Sequence, residues 1–248
     1  MPMVDDWGTL LTLMGVKPAT AQQWAPVFDA EIQPGTLSLG LDELDDPPSQ
    51  LLHESGMPER LEENLNYTTA ERIRAVWPSR FPTLASAAPF VRNPRALANK
   101  VYGGRMGNNL VDDGWLCRGS GLLQVTGLNN LKELARIMGY ADPYNLAEDL
   151  RSNKAVALRA SVLWWEKNVP DSIIGDVERV TRRVNGGVTG MAHRAQLAAV
   201  ARKVLVCSAR ARSSMWCWRC PSFQADGRCA AGAPTCRLPA WTGCTASR

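Results

Sequence analysis

Four carboxylates crowd the stretch from His53 to Tyr67: Glu54, Glu59, Glu62 and Glu63. Glu54 and Glu63 lie nine residues apart. On one straight α-helix that separation turns the chain through about 900° and advances it about 13.5 Å, so the two side chains leave opposite faces. Gly56 and Pro58 stand between them, and a helix does not run well through such a pair. The reading is a helix that ends at Glu54 and a returning segment that carries Glu63. Two carboxyls facing each other across a cleft can share acid–base hydrolysis. One, protonated, gives its proton to a leaving oxygen, and the other, ionised, takes one from water. Cleavage of a glycosidic bond needs such a pair. Asn64, Asn66 and Thr126 can supply the polar company that keeps the base ionised.

The elements that must position these groups are helical. The chain has 248 residues, 45% hydrophobic and 21% charged, enough for one large domain with an appendage. Two short helices are expected between Trp7 and Phe28, joined at Gly15. Asp45-Asp46-Pro47-Pro48 reads as the start of the helix that delivers Glu54. Thr68 or Thr69 caps the next, which stops at Pro78. Further helical patterns cover Pro94–Tyr102, Asn129–Met138, Pro143–Leu150, Lys154–Lys167, Asp176–Val184 and Thr189–Leu205. Between Gly103 and Gly127 the chain is glycine-rich, with a short strand expected at Leu122–Val125. The fold class is mainly α, with a small irregular or β-hairpin lobe.

Composition excludes several functions. No apolar run approaches the roughly 18 residues of a membrane span. The opening Met-Pro-Met-Val-Asp-Asp lacks the basic-then-apolar pattern of a secretory signal, so synthesis in the cytoplasm without such a signal is expected. The net charge of +4 is concentrated in residues 206–248, which carry six arginines and one aspartate. The rest is close to neutral and has no basic stripe for nucleic acid. Six of the seven cysteines lie in that same tail, and only Cys117 in the body, so no disulfide framework is expected there. The tail shows neither helical nor strand period and is expected to be disordered. Its Cys217-x-x-Cys220 with Cys229 and Cys236 has poor zinc spacing and no histidine beside it. His53 and His193 are the two histidines. No ligand cluster forms around them in the sequence, so no metal or cofactor is expected, and His53 reads as a hydrogen-bonded structural residue. Of the adjacent Trp164 and Trp165, one is expected in the core and one half-buried.

Three ordered motifs bear on identity. The first is His53-Glu54 followed by Glu63-Asn64-Leu65-Asn66-Tyr67. The second is Asp113-Gly114-Trp115 through Gly119-Ser120-Gly121-Leu122-Leu123-Gln124-Val125-Thr126-Gly127. The third is Val184-Asn185-Gly186-Gly187, followed by Arg194. Together they resemble the chitinase-like glycoside hydrolase family 19, particularly its short phage endolysins, over roughly Trp7–Leu205. The resemblance implies a two-lobed, lysozyme-like helical domain over residues 1–205. It also implies cleavage of β-1,4-linked N-acetylhexosamine polymers with inversion. It makes Glu54 the general acid, Glu63 the general base and Thr126 a holder of the attacking water. Gln124, Asn130, Asn185, Arg194 and Tyr67 become residues that bind sugar or support the acids. The expected partner is a glycan strand met by a monomer, either peptidoglycan reached at the cell wall after release from the cytoplasm, or chitin. The reading from another class is a glycan-binding module without activity.

Overall fold

The computed structural model describes residue 4 and residues 6–40, 43–56 and 58–218, with 206–218 described as backbone only. Helices form where the sequence supplies starts. Asp6, Thr69, Asn93, Asp142, Asn153 and Asp176 each accept a backbone N–H of the first turn that follows, satisfying donors that a helix end leaves orphaned. Prolines in four first turns cost nothing, because their missing N–H would have had no partner.

In chain order the helices are α1 (Trp7–Leu13), α2 (Pro18–Glu31), α3 (Asp46–Glu54), α4 (Ala70–Val76), α5 (Leu84–Ala87) and α6 (Pro94–Tyr102). They continue with α7 (Asp113–Leu116), α8 (Leu128–Met138), α9 (Pro143–Ser152), α10 (Lys154–Asn168), α11 (Val177–Asn185) and α12 (Met191–Trp218). The fold is mainly helical, as expected. Two of these, α5 and α7, span four residues each, too short to show a period in sequence. The backbone of α12 runs on to Trp218, beyond Leu205 where the apolar pattern fades. The remainder of the Cys- and Arg-rich tail, including Cys220, Cys229 and Cys236 of the unfavoured zinc set, lies outside the described residues, so neither that reading nor disorder is tested there.

Three apolar clusters hold the body together. The first joins α1, α2, α3, α10, α11 and α12 through Leu10, Trp24, Phe28, Leu52, Trp165, Val180 and Ala201. The second joins α4, α5 and α6 through Ile73, Ala87, Leu97 and Val101, with Leu65 and Phe81 from the connecting segments. The third joins α8 and α9, with Cys117 and Ala160 of α10. Leu51 and Leu52 are both buried. At about 1.5–3 kcal/mol for a fully buried aliphatic side chain, they fix the last turn of α3, and so Glu54.

The strand expected at Leu122–Val125 does not form. Ser120 and Val125 exchange both backbone hydrogen bonds, at 3.1 and 2.9 Å, and residues 121–124 form the turn they close. Gly121 and Gln124 both take positive φ, 75° and 51°. A turn this tight leaves no room for an extended run, and the hairpin shrinks to one pair of residues, with Glu62 bridging the other side of Ser120. The second positive φ falls on a non-glycine residue, an uncommon conformation that carries strain.

Beneath the start of α3, Asp46 is fully buried. One carboxylate oxygen accepts from Gly175 N at 2.7 Å, and the other has no partner. Burial pushes this carboxyl up to about 6, with the charges of Asp45 and Glu43 adding to the rise, and the Gly175 N–H and Arg202 opposing it. A group whose folded pKa is raised favours the fold most when protonated. That contribution is whole below about pH 4 and is lost as the pH rises through about 6. Asp46→Asn keeps an acceptor for Gly175 and removes the buried charge. It is expected to raise stability at pH 7 by about 2–3 kcal/mol, with the gain closing towards pH 4. Paired melting curves at the two pH values check this, and an equal gap at both would refute it.

Candidate active site

Glu54 is the last residue of α3, and its side chain is about one quarter exposed. Its Oε1 receives Arg194 Nη2 in an ion pair of 2.5 Å and Asn185 Nδ2 at 3.4 Å. Arg194 comes from the first turn of α12 and is wholly buried. Its other donors are spent on neutral acceptors, Gln50 Oε1 at 2.5 Å and Thr189 O at 3.2 Å. Among the described residues Glu54 is thus the one carboxylate that answers the buried guanidinium of Arg194. A fork of five donors suits Arg194 to hold one oxygen of Glu54 while anchored twice behind it.

The neighbouring His53 bonds to His193 through the two Nδ1 atoms, 2.8 Å apart. One ring must donate and the other accept, so the two cannot both be imidazolium while the bond lasts. Burial, then the charges of Arg194 and His193, push His53 below the ordinary imidazole range. Gly190, at φ +72°, lets this pair sit close: a β-carbon there would come within 2.1 Å of the His53 ring.

Glu63 is held by a different set of partners. Tyr102 OH donates to Oε1 at 2.6 Å, Gly119 N donates to Oε2 at 3.1 Å, and the Glu63 N–H returns to Gly119 O at 3.0 Å. Among the described residues no cation is bonded to it. Burial and the Glu63 carboxylate keep the Tyr102 phenol far above its ordinary range, so it remains a donor. The adjacent Glu62, which is equally plausible by composition alone, is taken up by Arg118 at 2.7 Å. Gly119 must be glycine here, since a β-carbon would meet Gln124 Oε1 at 2.7 Å and Glu63 Cβ at 3.0 Å.

That close approach brings Glu63 near Gln124, which lines the cleft, although Glu63 itself is not among the lining residues. The cleft has a volume of about 470 Å³, and Glu54, Gln124, Thr126, Asn130 and Asn185 all line it. Trp164, Lys167, Asn168, Glu133 and Met106 line it as well, with apolar side chains between them. Thr126 Oγ1 donates to Gln124 O at 2.9 Å, so its proton is engaged and its lone pairs are left to accept. Asn130 Nδ2 donates to Thr126 O at 2.8 Å, tying the turn to α8. Of the two adjacent tryptophans, Trp165 is in the core with its indole N–H bonded to Glu43, and Trp164 is the half-buried one facing the cleft. Tyr67 stands apart from the cleft walls, edge-on against Trp77 at 5.3 Å, where the Glu63 charge and, more strongly, burial raise its phenol. Sequence reasoning missed Tyr102. It lies on α6, whose Leu97, Ala98 and Val101 already account for an apolar face, and its link to Glu63 spans 39 residues.

No family model matches the chain. A protein of Haemophilus influenzae described as a glycosyl hydrolase family 19 domain-containing protein is 35% identical over 152 residues. The match covers 60% of this chain and 73% of that relative. With identity and coverage at that level, the chain belongs to glycosyl hydrolase family 19.

Proposed function

We propose that this chain hydrolyses the β-1,4 bonds of peptidoglycan glycan strands with inversion, as an endolysin of the phage type. Glu54 is the general acid and Glu63 the general base. The observation that carries the reading is that Glu54 ends a helix on the cleft wall, while Glu63 is tied through Gly119 to the turn that brings Gln124 and Thr126 to the same cleft. Glu54 ends a helix, oriented by Arg194 and Asn185 and open to the cleft. Glu63 is held by neutral donors alone, a setting in which an ionised carboxylate is satisfied without a counter-charge. The proton route then follows. Glu54, the counter-charge of Arg194 in the resting site, takes up a proton on its free Oε2 as the substrate enters and gives it to the departing glycosidic oxygen. A water held by Glu63, and by the lone pairs of Thr126, attacks the opposite face of the sugar and gives its proton to Glu63. Gln124, Asn130 and Asn185 offer paired donors and acceptors of the kind that N-acetyl and hydroxyl groups need, and the half-buried Trp164 offers an apolar face for a sugar ring. The resemblance to short phage endolysins favours peptidoglycan over chitin.

The stereochemistry tests the assignment. NMR of fresh product should show the α-anomer first, because water attacks the face opposite the departing β-linked sugar. A β-anomer as initial product would remove Glu63 as base and require a covalent or substrate-assisted route. Clearing of permeabilised Gram-negative cells, run beside a chitin-oligomer assay, decides the substrate. Binding of either glycan without cleavage would instead favour the silent module.

A further inference from the structure

The cleft holds one feature that an uncharged sugar does not need. Among the described residues that line it, Lys167 is the sole cation. It projects from the last turn of α10 and pairs with Glu133 of α8, which lines the same wall. Both side chains are substantially exposed, at 42% and 60%. An exposed pair of this kind contributes little and exchanges partners readily. Asn168 lies beside it, and its side chain donates to Trp164 O, so its amide is already engaged. The amides of Gln124, Asn130 and Asn185 and the ring of Trp164 suffice for N-acetyl and hydroxyl groups. An ammonium can donate to any hydroxyl or carbonyl oxygen, but it adds charge attraction only for a substrate that carries negative charge. Chitin carries none. The lactyl substituent of peptidoglycan carries carboxylates, either its own when bare or those of the peptide attached to it.

We propose that Lys167 is a specificity-determining residue that takes a carboxylate of the lactyl-peptide substituent, and that Glu133 holds its ammonium until such a carboxylate displaces it. The proposal rests on the peptidoglycan reading above. It requires no bond to form or break at Lys167, only exchange of one carboxylate for another. Because Glu133 competes with the substrate, the two residues act in opposite directions. Removing the cation weakens recognition of the charged strand, and removing the competing acid strengthens it.

The test uses the full chain and three substrates: peptide-bearing wall, wall stripped by an amidase so that only lactyl carboxylates remain, and a neutral chitin oligomer. Lys167→Gln should lower the ratio of kcat/KM on wall to that on chitin oligomer by about two- to fivefold, the range of an exposed ion pair, through KM rather than kcat. Lys167→Arg should restore most of it, and Glu133→Gln should raise it severalfold. The wild-type KM on wall should rise with salt, and that of Lys167→Gln should not, because exposed charge pairs are screened. Loss on peptide-bearing wall alone assigns the carboxylate to the peptide. Loss on both wall forms assigns it to any carboxylate on the substituent. If Lys167→Gln and Glu133→Gln lower activity on all substrates alike, together with the melting temperature, the pair is a staple between α8 and α10 and the proposal fails. An unchanged ratio and salt response in Lys167→Gln, with wall still cleaved, overturns it alone. Wild-type cleavage of chitin oligomer but of neither wall form overturns the peptidoglycan reading first, and this proposal with it.

Discussion

Glu54→Gln is expected to lower kcat by at least a hundredfold and, at the same time, to lower the melting temperature. The first effect is the loss of the proton that leaves with the glycosidic oxygen, since general acid catalysis typically supplies about 10²–10⁴-fold. The second follows from Arg194. Glutamine matches glutamate in size and shape, so the change is isosteric. In the structure Glu54 is the one carboxylate bonded to a guanidinium with no exposure, and Gln50 and Thr189 offer it neutral oxygens alone. Glutamine keeps an acceptor in place but leaves a buried cation without a counter-charge. Removing one partner of a buried pair costs about 3–5 kcal/mol. Glu54 is partly exposed, so solvent already shares in the pairing, and about 1–3 kcal/mol is the expected cost. Activity should therefore be measured well below the shifted melting temperature, with circular dichroism on the same sample. A folded Glu54→Gln protein with near-normal turnover would end the acid assignment. A hundredfold loss with an unchanged melting temperature would leave the assignment standing and show the pair to be energetically slack.

How far the sequence reached is clearest at Glu54 and Glu63. The break between them was legible because Gly56 and Pro58 are local signals: Gly56 takes φ +64° just past α3. The helix starts were legible for the same reason, since a cap and the N–H it accepts lie two or three residues apart. The partners of each glutamate were not. Arg194 is 140 residues from Glu54, and Tyr102 is 39 from Glu63. Neither distance leaves a periodic trace. Arg194 was reached only because a motif named it, and Tyr102, which no motif named, was missed. The strand expected at Leu122–Val125 failed in the opposite way. Three apolar residues among Leu122–Val125 suggested extension, yet Gly121 just before the span and Gln124 within it turn the chain back. Here the tertiary demand to bring Gln124 towards Gly119 and Glu63 overrode local propensity.

The coupling between Glu54 and Arg194 yields the other large expected effect. Arg194→Met should lower stability by about 3 kcal/mol, because Gln50 Oε1 loses its partner in a buried setting and Glu54 loses its cation. It should also lower kcat more than tenfold, since the carboxyl is then free to leave the orientation in which it faces the leaving oxygen. Arg194→Lys separates these two effects. A lysine keeps the charge, so much of the stability should return. It lacks the planar fork that reaches Gln50 and Glu54 at once, so kcat should stay low. The double variant Glu54→Gln, Arg194→Met should be less destabilised than the two single costs added together, because once the cation is gone the carboxylate has nothing to neutralise. A coupling of about 1–3 kcal/mol is expected for groups in direct contact. Strict additivity in denaturant melts would mean that the ion pair contributes nothing to the fold. Full recovery of kcat in Arg194→Lys would mean that a charge near Glu54 suffices and that the fork has no part in aiming the acid.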